Sequence, residues 1–128
     1  MKKRVGLIGK GKWGSKIRSK LSKLASVKFV SGRKKNYFEL IKKNELDWIF
    51  IATPNSTHYQ IVKKCLNSNL NVFCEKPITE NFKKAKELFE IAKKNKVNLY
   101  VSDVYAFHKK KINKIFLYNK IKREKNLI

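Results

Sequence analysis

The sequence predicts one α/β domain built on a doubly wound parallel sheet. Short apolar runs alternate along the chain with longer segments whose apolar residues recur every three or four positions. A glycine-rich turn joins the first apolar run directly to the first helical segment. Strands that alternate with helices in this way form right-handed crossovers, so we expect parallel strands with helices on both faces of the sheet.

Five short apolar runs indicate the strands. They are expected at residues 5–8, 27–30, 48–52, 71–74 and 99–101. Helical spacing fills the intervals between them. The first three helices have their apolar residues at Ile17, Leu21 and Leu24, then at Tyr37, Phe38, Leu40 and Ile41, then at Ile61, Val62, Cys65 and Leu66.

A fourth helix follows Thr79, and its apolar residues predict which side packs on the sheet. We expect an apolar inner side and a lysine-rich outer side, formed respectively by Phe82, Ala85, Phe89 and Ala92 and by Lys83, Lys86, Lys93 and Lys94. The domain is then complete over residues 1–108. Residues 109–128 are expected to form a lysine-rich carboxy-terminal helix or tail, with roughly helical spacing of Ile112, Ile115, Phe116 and Tyr118.

The net charge of +23 raises the question of a polyanionic partner. Lysine supplies 28 of the 32 basic residues, and the lysines recur along every predicted helix instead of forming one block. Arginine, whose guanidinium makes the bidentate contacts common in base reading, is scarce. The charge therefore favours a solvated lysine coat over a nucleic-acid partner.

The apolar content of 42% is typical of a folded protein, and the longest apolar stretches span only a few residues. We therefore expect neither a signal peptide nor a membrane span. Cys65 and Cys74 have no second cysteine pair or histidine cluster beside them. This pattern predicts no metal site and no disulfide framework, and it fits a cytoplasmic protein.

The strongest motif is the Gly-x-Gly-x-x-Gly of residues 9–14, which lies between a predicted strand and a predicted helix. In a Rossmann fold such a loop binds the pyrophosphate of a dinucleotide at the positive end of the helix. The alternative is a turn that merely needs positive φ. We predict a dinucleotide-binding domain whose candidate cofactor contacts are Gly9, Gly11, Lys12, Trp13 and Gly14.

Two further motifs follow predicted strands. Thr53-Pro54-Asn55 ends the third strand, with His58 three residues later, and Glu75-Lys76-Pro77 ends the fourth. Together with the glycine loop, they resemble the amino-terminal domain of Gfo/Idh/MocA oxidoreductases over residues 4–121. Trp13 and residues 104–107 are similar to a subgroup that acts on sugars or sugar nucleotides.

The resemblance implies a nicotinamide cofactor, NAD or NADP, and hydride transfer to or from a hydroxyl or keto group. Lys76 would be the catalytic residue, reaching both the nicotinamide ribose and the substrate hydroxyl, which it would orient or deprotonate. Glu75 would hold neighbouring groups in place. Read without the resemblance, Lys76 is one more surface lysine among 28.

The resemblance also places Thr53, Pro54 and Asn55 along the nicotinamide side of the crevice. The residues alone allow a plainer interpretation, a strand end followed by an Asn or Ser helix cap. His58 matches a family position among the cofactor contacts. A lone histidine there more often packs or caps, and we favour that role.

The second strand lacks the acidic residue that usually binds the adenosine ribose about twenty residues after the glycine loop. Ser31, Arg33 and Lys34 stand in that region. A hydroxyl and cations suit a 2′-phosphate better than a bare ribose, so NADP is the favoured cofactor.

Family members also carry a carboxy-terminal substrate-binding domain, which has no counterpart in this sequence. Three hypotheses follow. The first is the cofactor half of an oxidoreductase, as a truncated product, a fragment, or a subunit completed by a partner or a homo-oligomer. The second is a catalytically silent nucleotide-binding or regulatory module, and the third, least favoured, is a basic nucleic-acid-associated protein.

Overall fold

The computed structural model describes residues 1–32 and 36–102 of the chain. Arg33, Lys34 and all residues from 103 onward, including the expected helix or tail, lie outside the described residues. The described elements are β1 (Arg4–Ile8), α1 (Lys12–Leu24), β2 (Ser26–Ser31), α2 (Tyr37–Lys43), β3 (Trp48–Ile51), α3 (Asn55–Asn67), β4 (Asn71–Cys74), α4 (Phe82–Lys94) and β5 (Leu99–Val101).

The five strands form one parallel sheet in the order β2-β1-β3-β4-β5. Each strand lies within one residue of its predicted bounds at either end. The chain starts near the middle of the sheet, moves outward to β2, and then crosses back to β3. This reversal of direction next to β1 defines a doubly wound α/β fold, and the predicted fold class is confirmed.

The larger core lies on the face of the sheet covered by α2, α3 and α4. Ile49 and Val72 are fully buried there, as are Leu66 of α3 and Leu88 of α4. The other face carries a smaller cluster, in which Leu21 of α1 packs with Val5, Ala25 and partly buried neighbours. Helices thus cover the two faces unequally.

The predicted inner side of α4 is partly wrong. Phe82 is 82% exposed and Phe89 is 48% exposed, whereas Leu88 and Ala92 are buried. Two apolar stripes run along α4. One contains Phe82 and Phe89, the other contains Leu88, and Ala92 belongs to both. The stripe through Leu88 is the one that packs inward. The neighbouring Glu87 lies beside α3, where its carboxylate accepts a hydrogen bond from the Tyr59 hydroxyl.

Polar side chains join the strands at the amino edge of the sheet. Asp47, which precedes β3, accepts hydrogen bonds from the backbone N–H and the guanidinium of Arg4. The Asn71 side chain donates to the Asp47 carbonyl and accepts from both the backbone and the side chain of Asn98. These contacts hold the starts of four neighbouring segments together.

Candidate functional site

The glycine loop follows β1 at the carboxyl edge of the sheet, and two of its glycines are required by the fold itself. Gly9 has φ of +128°, and a Cβ there would collide with the carbonyl of Ala52. A Cβ on Gly14 would collide with the Gly9 carbonyl, because α1 packs directly on the loop. The Gly9 N–H donates to the Ser31 carbonyl at 2.7 Å, which ties the loop to the end of β2.

Gly11 differs from the other two glycines. Its backbone is extended, with φ −72° and ψ −173°, and a Cβ there would meet no atom within 4 Å. The fold therefore has no steric need for glycine at this position. The open space beside Gly11 is what a pyrophosphate pressed against the loop would occupy.

The amino end of α1 suits an anion. Gly11 is its N-cap, no side chain caps the helix, and no acidic residue occurs in its first turn. The backbone N–H groups of that turn lack partners within the helix and lie at the positive end of its dipole. This part of the site therefore fits the phosphates of a dinucleotide.

A cavity of about 840 Å³ lies between α1 and the ends of β3, β4 and β5. It brings together five residues that the sequence predicted for the site, namely Trp13, Thr53, Asn55, Glu75 and Lys76. Lys76 and Asn55 are exposed, and Trp13 is 60% exposed. The cavity is large enough for a drug-sized ligand or half of a dinucleotide.

Seven cavity residues were not among the predicted site residues: Lys16, Ile17, Ser19, Lys20, Ala52, Pro77 and Ser102. Lys16 lies over the Trp13 ring, with its ammonium 4.8 Å from the ring centroid. Lys16 and Lys20 follow Trp13 at intervals of three and seven residues and so share its side of α1, but this spacing alone does not distinguish them. They were hidden because lysine occurs on every helix.

His58 links the segment that follows β3 to the segment that follows β4. Its imidazole is fully buried, with Nδ1 2.7 Å from the Pro77 carbonyl oxygen and Nε2 2.8 Å from the Thr53 carbonyl oxygen. Pro77 follows a cis peptide bond. The structure places His58 in a packing role, which was the favoured interpretation, and outside the cavity lining.

The predicted Asn or Ser cap of α3 is wrong. Pro54 is the N-cap, and its ring has no acceptor that could cap the helix, while Asn55 is already the first residue of α3. The Thr57 hydroxyl lies 2.7 Å from both the Pro54 carbonyl oxygen and the Thr53 hydroxyl. The Asn55 side chain is therefore not used as a cap, and it lines the cavity instead.

Ser31 is buried at the end of β2, and its hydroxyl donates to the Gly32 carbonyl at 3.1 Å. Its side chain is thus engaged within the chain and lies outside the cavity lining. Of the basic residues expected to favour NADP, Arg33 and Lys34 are outside the described residues.

The two cysteines lie in the core. Burial raises the pKa of the Cys65 thiol to about 12 and also raises the pKa of the Cys74 thiol. Both thiols are therefore neutral at physiological pH and inert as nucleophiles. Within residues 1–32 and 36–102, no group of three or more histidine, cysteine or acidic side chains is arranged to hold a metal ion.

Comparison with models of known protein families shows which family the chain belongs to. Residues 19–103 match the model described as "Oxidoreductase family, NAD-binding Rossmann fold" of the Gfo/Idh/MocA group. The chain belongs to the Gfo/Idh/MocA oxidoreductase family. It is an NAD(P)-binding Rossmann domain of that family, and the glycine loop, which lies before the matched residues, has the geometry that this assignment requires.

Curated relatives of the Gfo/Idh/MocA domain are similar over about half of its length. An uncharacterised oxidoreductase of Schizosaccharomyces pombe is 38% identical over 63 residues, which are 49% of this chain and 17% of that protein. The D-xylose 1-dehydrogenase (NADP(+)) of Hypocrea jecorina is 38% identical over 64 residues, 50% of this chain and 16% of that enzyme. The alignments thus cover less than a fifth of each of these relatives.

Solved structures share the fold. The UDP-N-acetylglucosamine 3-dehydrogenase GnnA from Acidithiobacillus ferrooxidans matches with a TM-score of 0.75 and 20% identity, over 88% of this chain and 41% of that one. GenD2 from gentamicin A biosynthesis, solved in complex with NAD, matches with a TM-score of 0.78 and 20% identity, over 84% and 36%. In the part of the Gfo/Idh/MocA domain that the structure describes, no helix has the length and apolarity needed to cross a bilayer.

Proposed function

We propose that this domain binds NADP and forms the cofactor half of an oxidoreductase acting on a hydroxyl or keto group of a sugar-type substrate. The proposal rests on one observation: a helix end suited to an anion and a cavity lie side by side at the carboxyl edge of the sheet. The uncapped end of α1 with its open Gly11 lies beside a cavity that contains Lys76, Asn55 and Trp13.

The residues present fit a nicotinamide dinucleotide. Gly11 and the first turn of α1 would hold the pyrophosphate, while Thr53, Asn55 and Lys76 would lie along the nicotinamide half. When bound, the cofactor supplies a hydride acceptor or donor. The chain contributes the backbone donors, the cavity walls and an ammonium group at the mouth of the cavity.

Lys76 is the proposed catalytic residue. Hydrogen bonds to the backbone of both of its neighbours fix its position. The Glu75 N–H donates to the Ile51 carbonyl at 2.9 Å, and Nδ1 of His58 lies 2.7 Å from the Pro77 carbonyl oxygen. The side chain itself is exposed and free to reach a ligand in the cavity. We infer that as an ammonium group it donates a hydrogen bond to the reacting oxygen of the substrate, and that as a neutral amine it accepts the proton of the substrate hydroxyl.

Two further statements of the proposal rest on relatives and on sequence. The names of D-xylose 1-dehydrogenase (NADP(+)) and UDP-N-acetylglucosamine 3-dehydrogenase GnnA describe sugar or sugar-nucleotide oxidation, which supports the substrate class. The basic residues Arg33 and Lys34 after β2 support NADP. The chain spans less than half the length of these two relatives.

Calorimetric titration near physiological salt tests the proposal. We expect NADP to bind saturably at one site per chain, with NAD binding more weakly. Duplex DNA at the same phosphate concentration is the control for generic attraction to lysine, and it should bind weakly once salt screens the charge. Tight DNA binding without saturable NADP binding would contradict the proposal. NADP binding without turnover of any sugar-type substrate, when a substrate-binding domain is supplied, would favour the silent module.

A further inference from the structure

The wall of the cavity formed by α1 is cationic. Lys16 and Lys20 line the cavity from α1, and Lys76 lines it from the segment after β4. Among the described lining residues Glu75 is the only carboxylate, so three exposed lysines stand against one partly exposed acid. The surroundings of α1 add to this charge, because residues 1–38 contain 13 basic residues and no acidic one. A cleft lined by one sign of charge attracts ligands of the opposite sign.

The cavity lysines are not neutralised by the described part of the fold. The ion pairs found there have Arg4, Lys63 or Lys86 as the basic partner. Lys16 lies over the Trp13 ring instead, and an ammonium group on a ring face keeps N–H donors for a ligand. Within the described residues, the cationic groups of this wall are therefore available to an anion.

The phosphates of the cofactor are proposed to lie elsewhere. The pyrophosphate is placed at Gly11, the N-cap of α1, whereas Lys20 lies about 13 Å further along the helix axis. The 2′-phosphate is placed after β2. That strand lies on the other side of β1 from β3, β4 and β5, whose carboxyl ends lead into the cavity. The cationic wall is therefore suited to an anion that does not belong to the cofactor.

We propose that Lys16 and Lys20 bind a phosphate group of the substrate, so that the sugar-type substrate is a phosphorylated sugar. The inference rests on the proposed function and adds the residues that select the substrate. The two lysines are four residues apart on α1, which puts them on one side of the helix with Cβ atoms about 5–6 Å apart. Both ammonium groups can therefore reach one phosphate, whose three acceptor oxygens and near-double charge match two cations better than a carboxylate does. Lys76, on the strand side of the cavity, would then contact the reacting oxygen.

NMR titration of the full chain tests the inference. The ¹⁵N-labelled chain is first saturated with NADPH, so that no sugar hydroxyl can be oxidised during the measurement. Glucose 6-phosphate, UDP-glucose, glucose and inorganic phosphate are then compared at constant, physiological ionic strength. The chain has two indole N–H signals, from Trp13, which lines the cavity, and from Trp48, which is outside the lining and serves as the internal control.

Two double variants are compared with the natural chain. Lys16→Gln with Lys20→Gln removes two charges from the cavity wall. Arg18→Gln with Lys23→Gln removes the same charge from exposed residues of α1 that are outside the described lining. Calorimetry gives the NADPH affinity of all three chains before the sugars are added.

We expect the Trp13 signal to show a phosphorylated probe binding about tenfold more tightly than glucose, since each of two solvent-screened contacts adds a modest gain. The variant at positions 16 and 20 should lose this preference, and the variant at positions 18 and 23 should keep it. NADPH affinity should be unchanged in both. Tighter binding of UDP-glucose would support a nucleotide-sugar diphosphate as the anion, and tighter binding of glucose 6-phosphate would support a sugar phosphate monoester.

Equal affinity for the phosphorylated probes and glucose in the NADPH-bound chain, or no response of the Trp13 signal to any probe, would overturn the inference and leave the proposed function standing. A loss of preference in both double variants would also overturn it, because the effect would then come from the general field of α1. So would inorganic phosphate binding as tightly as the phosphorylated sugars, or a fall in NADPH affinity confined to the variant at positions 16 and 20. Absence of saturable NADPH binding would overturn the proposed function and this inference with it.

Discussion

The two edges of the parallel sheet use their polar side chains differently: those described at the amino edge hydrogen-bond with one another or with the backbone, whereas the carboxyl edge also has polar side chains that are exposed beside a cavity. At that edge Arg4, Asp47, Asn71 and Asn98 hydrogen-bond with one another or with neighbouring backbone. These contacts join the starts of the strands. A substitution among them should change stability and leave ligand binding unaffected.

At the carboxyl edge, the groups that hold the loops together are buried, whereas the groups proposed to contact a ligand are exposed. The Gly9 and Gly14 backbones and the buried His58 fix the loops, whereas Gly11, Asn55 and Lys76 are exposed. In doubly wound sheets ligands bind at this edge. If the proposed function is correct, stability and binding depend on different residues here, even within one six-residue loop.

Lys76→Ala should have the largest effect on function. If Lys76 handles a proton during reaction, its loss should lower turnover by about 10²–10⁴-fold, with a much smaller change in cofactor affinity. The measurement compares kcat with cofactor Kd when a substrate-binding domain of a family relative is supplied. Lys83→Ala, an exposed lysine on α4, is the matched control and should change neither value. Equal losses in kcat and in cofactor affinity would contradict a catalytic role and show that Lys76 only binds the cofactor.

Gly14→Ala should destabilise the domain, because its Cβ would collide with the Gly9 carbonyl. We expect a loss of about 1–3 kcal/mol or more in the free energy of unfolding, despite the better helix propensity of alanine. Gly11→Ala, where the Cβ meets open space, should cost less than about 1 kcal/mol. Urea denaturation measures both, and similar values for the two variants would contradict the division of roles within the loop.

Arg33→Ala should reduce the preference for NADP over NAD. A charge-assisted hydrogen bond to the 2′-phosphate contributes about 1.5–3 kcal/mol, so we expect discrimination of about tenfold to a hundredfold in the natural chain. The variant should lose most of it while binding NAD as before. Calorimetry near physiological salt tests this, and equal affinity of the natural chain for both cofactors would refute the interpretation of the β2 end.

Asp47→Asn should have the smallest effect and act only at the amino edge. Hydrogen bonds from Arg4 lower the pKa of Asp47 to about 2 from an ordinary 3.8. The ionised carboxylate therefore stabilises the fold above about pH 4, and this contribution is lost as the pH falls through about 2. Thermal unfolding between pH 2 and 7 should show the variant less stable at neutral pH and equal to the natural chain in acid, with unchanged cofactor affinity at neutral pH.

The sequence predicted the strands and the glycine loop well because both depend on local patterns. Each strand is a short apolar run, and the turn itself requires glycine at positions 9 and 14. The inner side of α4 was predicted only in part, since Phe89 and Leu88 belong to two overlapping stripes and packing against α3 decides between them.

The partners of His58 could not be read from the sequence. Its contact with Pro77 joins residues 19 apart, and its contact with Thr53 depends on how α3 leaves the sheet. Lys16 and Lys20 were equally hidden, because their cavity position distinguishes them from other lysines only in three dimensions. Local spacing therefore predicts the glycine loop, whereas the proposed nicotinamide side of the site is assembled by long-range contacts.

The most direct test of the central claim is cofactor titration of Gly11→Val beside the natural chain. A Cβ at this position meets no atom within 4 Å, so the added side chain would enter the open space beside the loop. We predict an unfolding transition close to that of the natural chain, together with loss of measurable binding of either NADP or NAD by calorimetry. A folded Gly11→Val variant that binds the cofactor with unchanged affinity would contradict the assignment of the glycine loop as the pyrophosphate site.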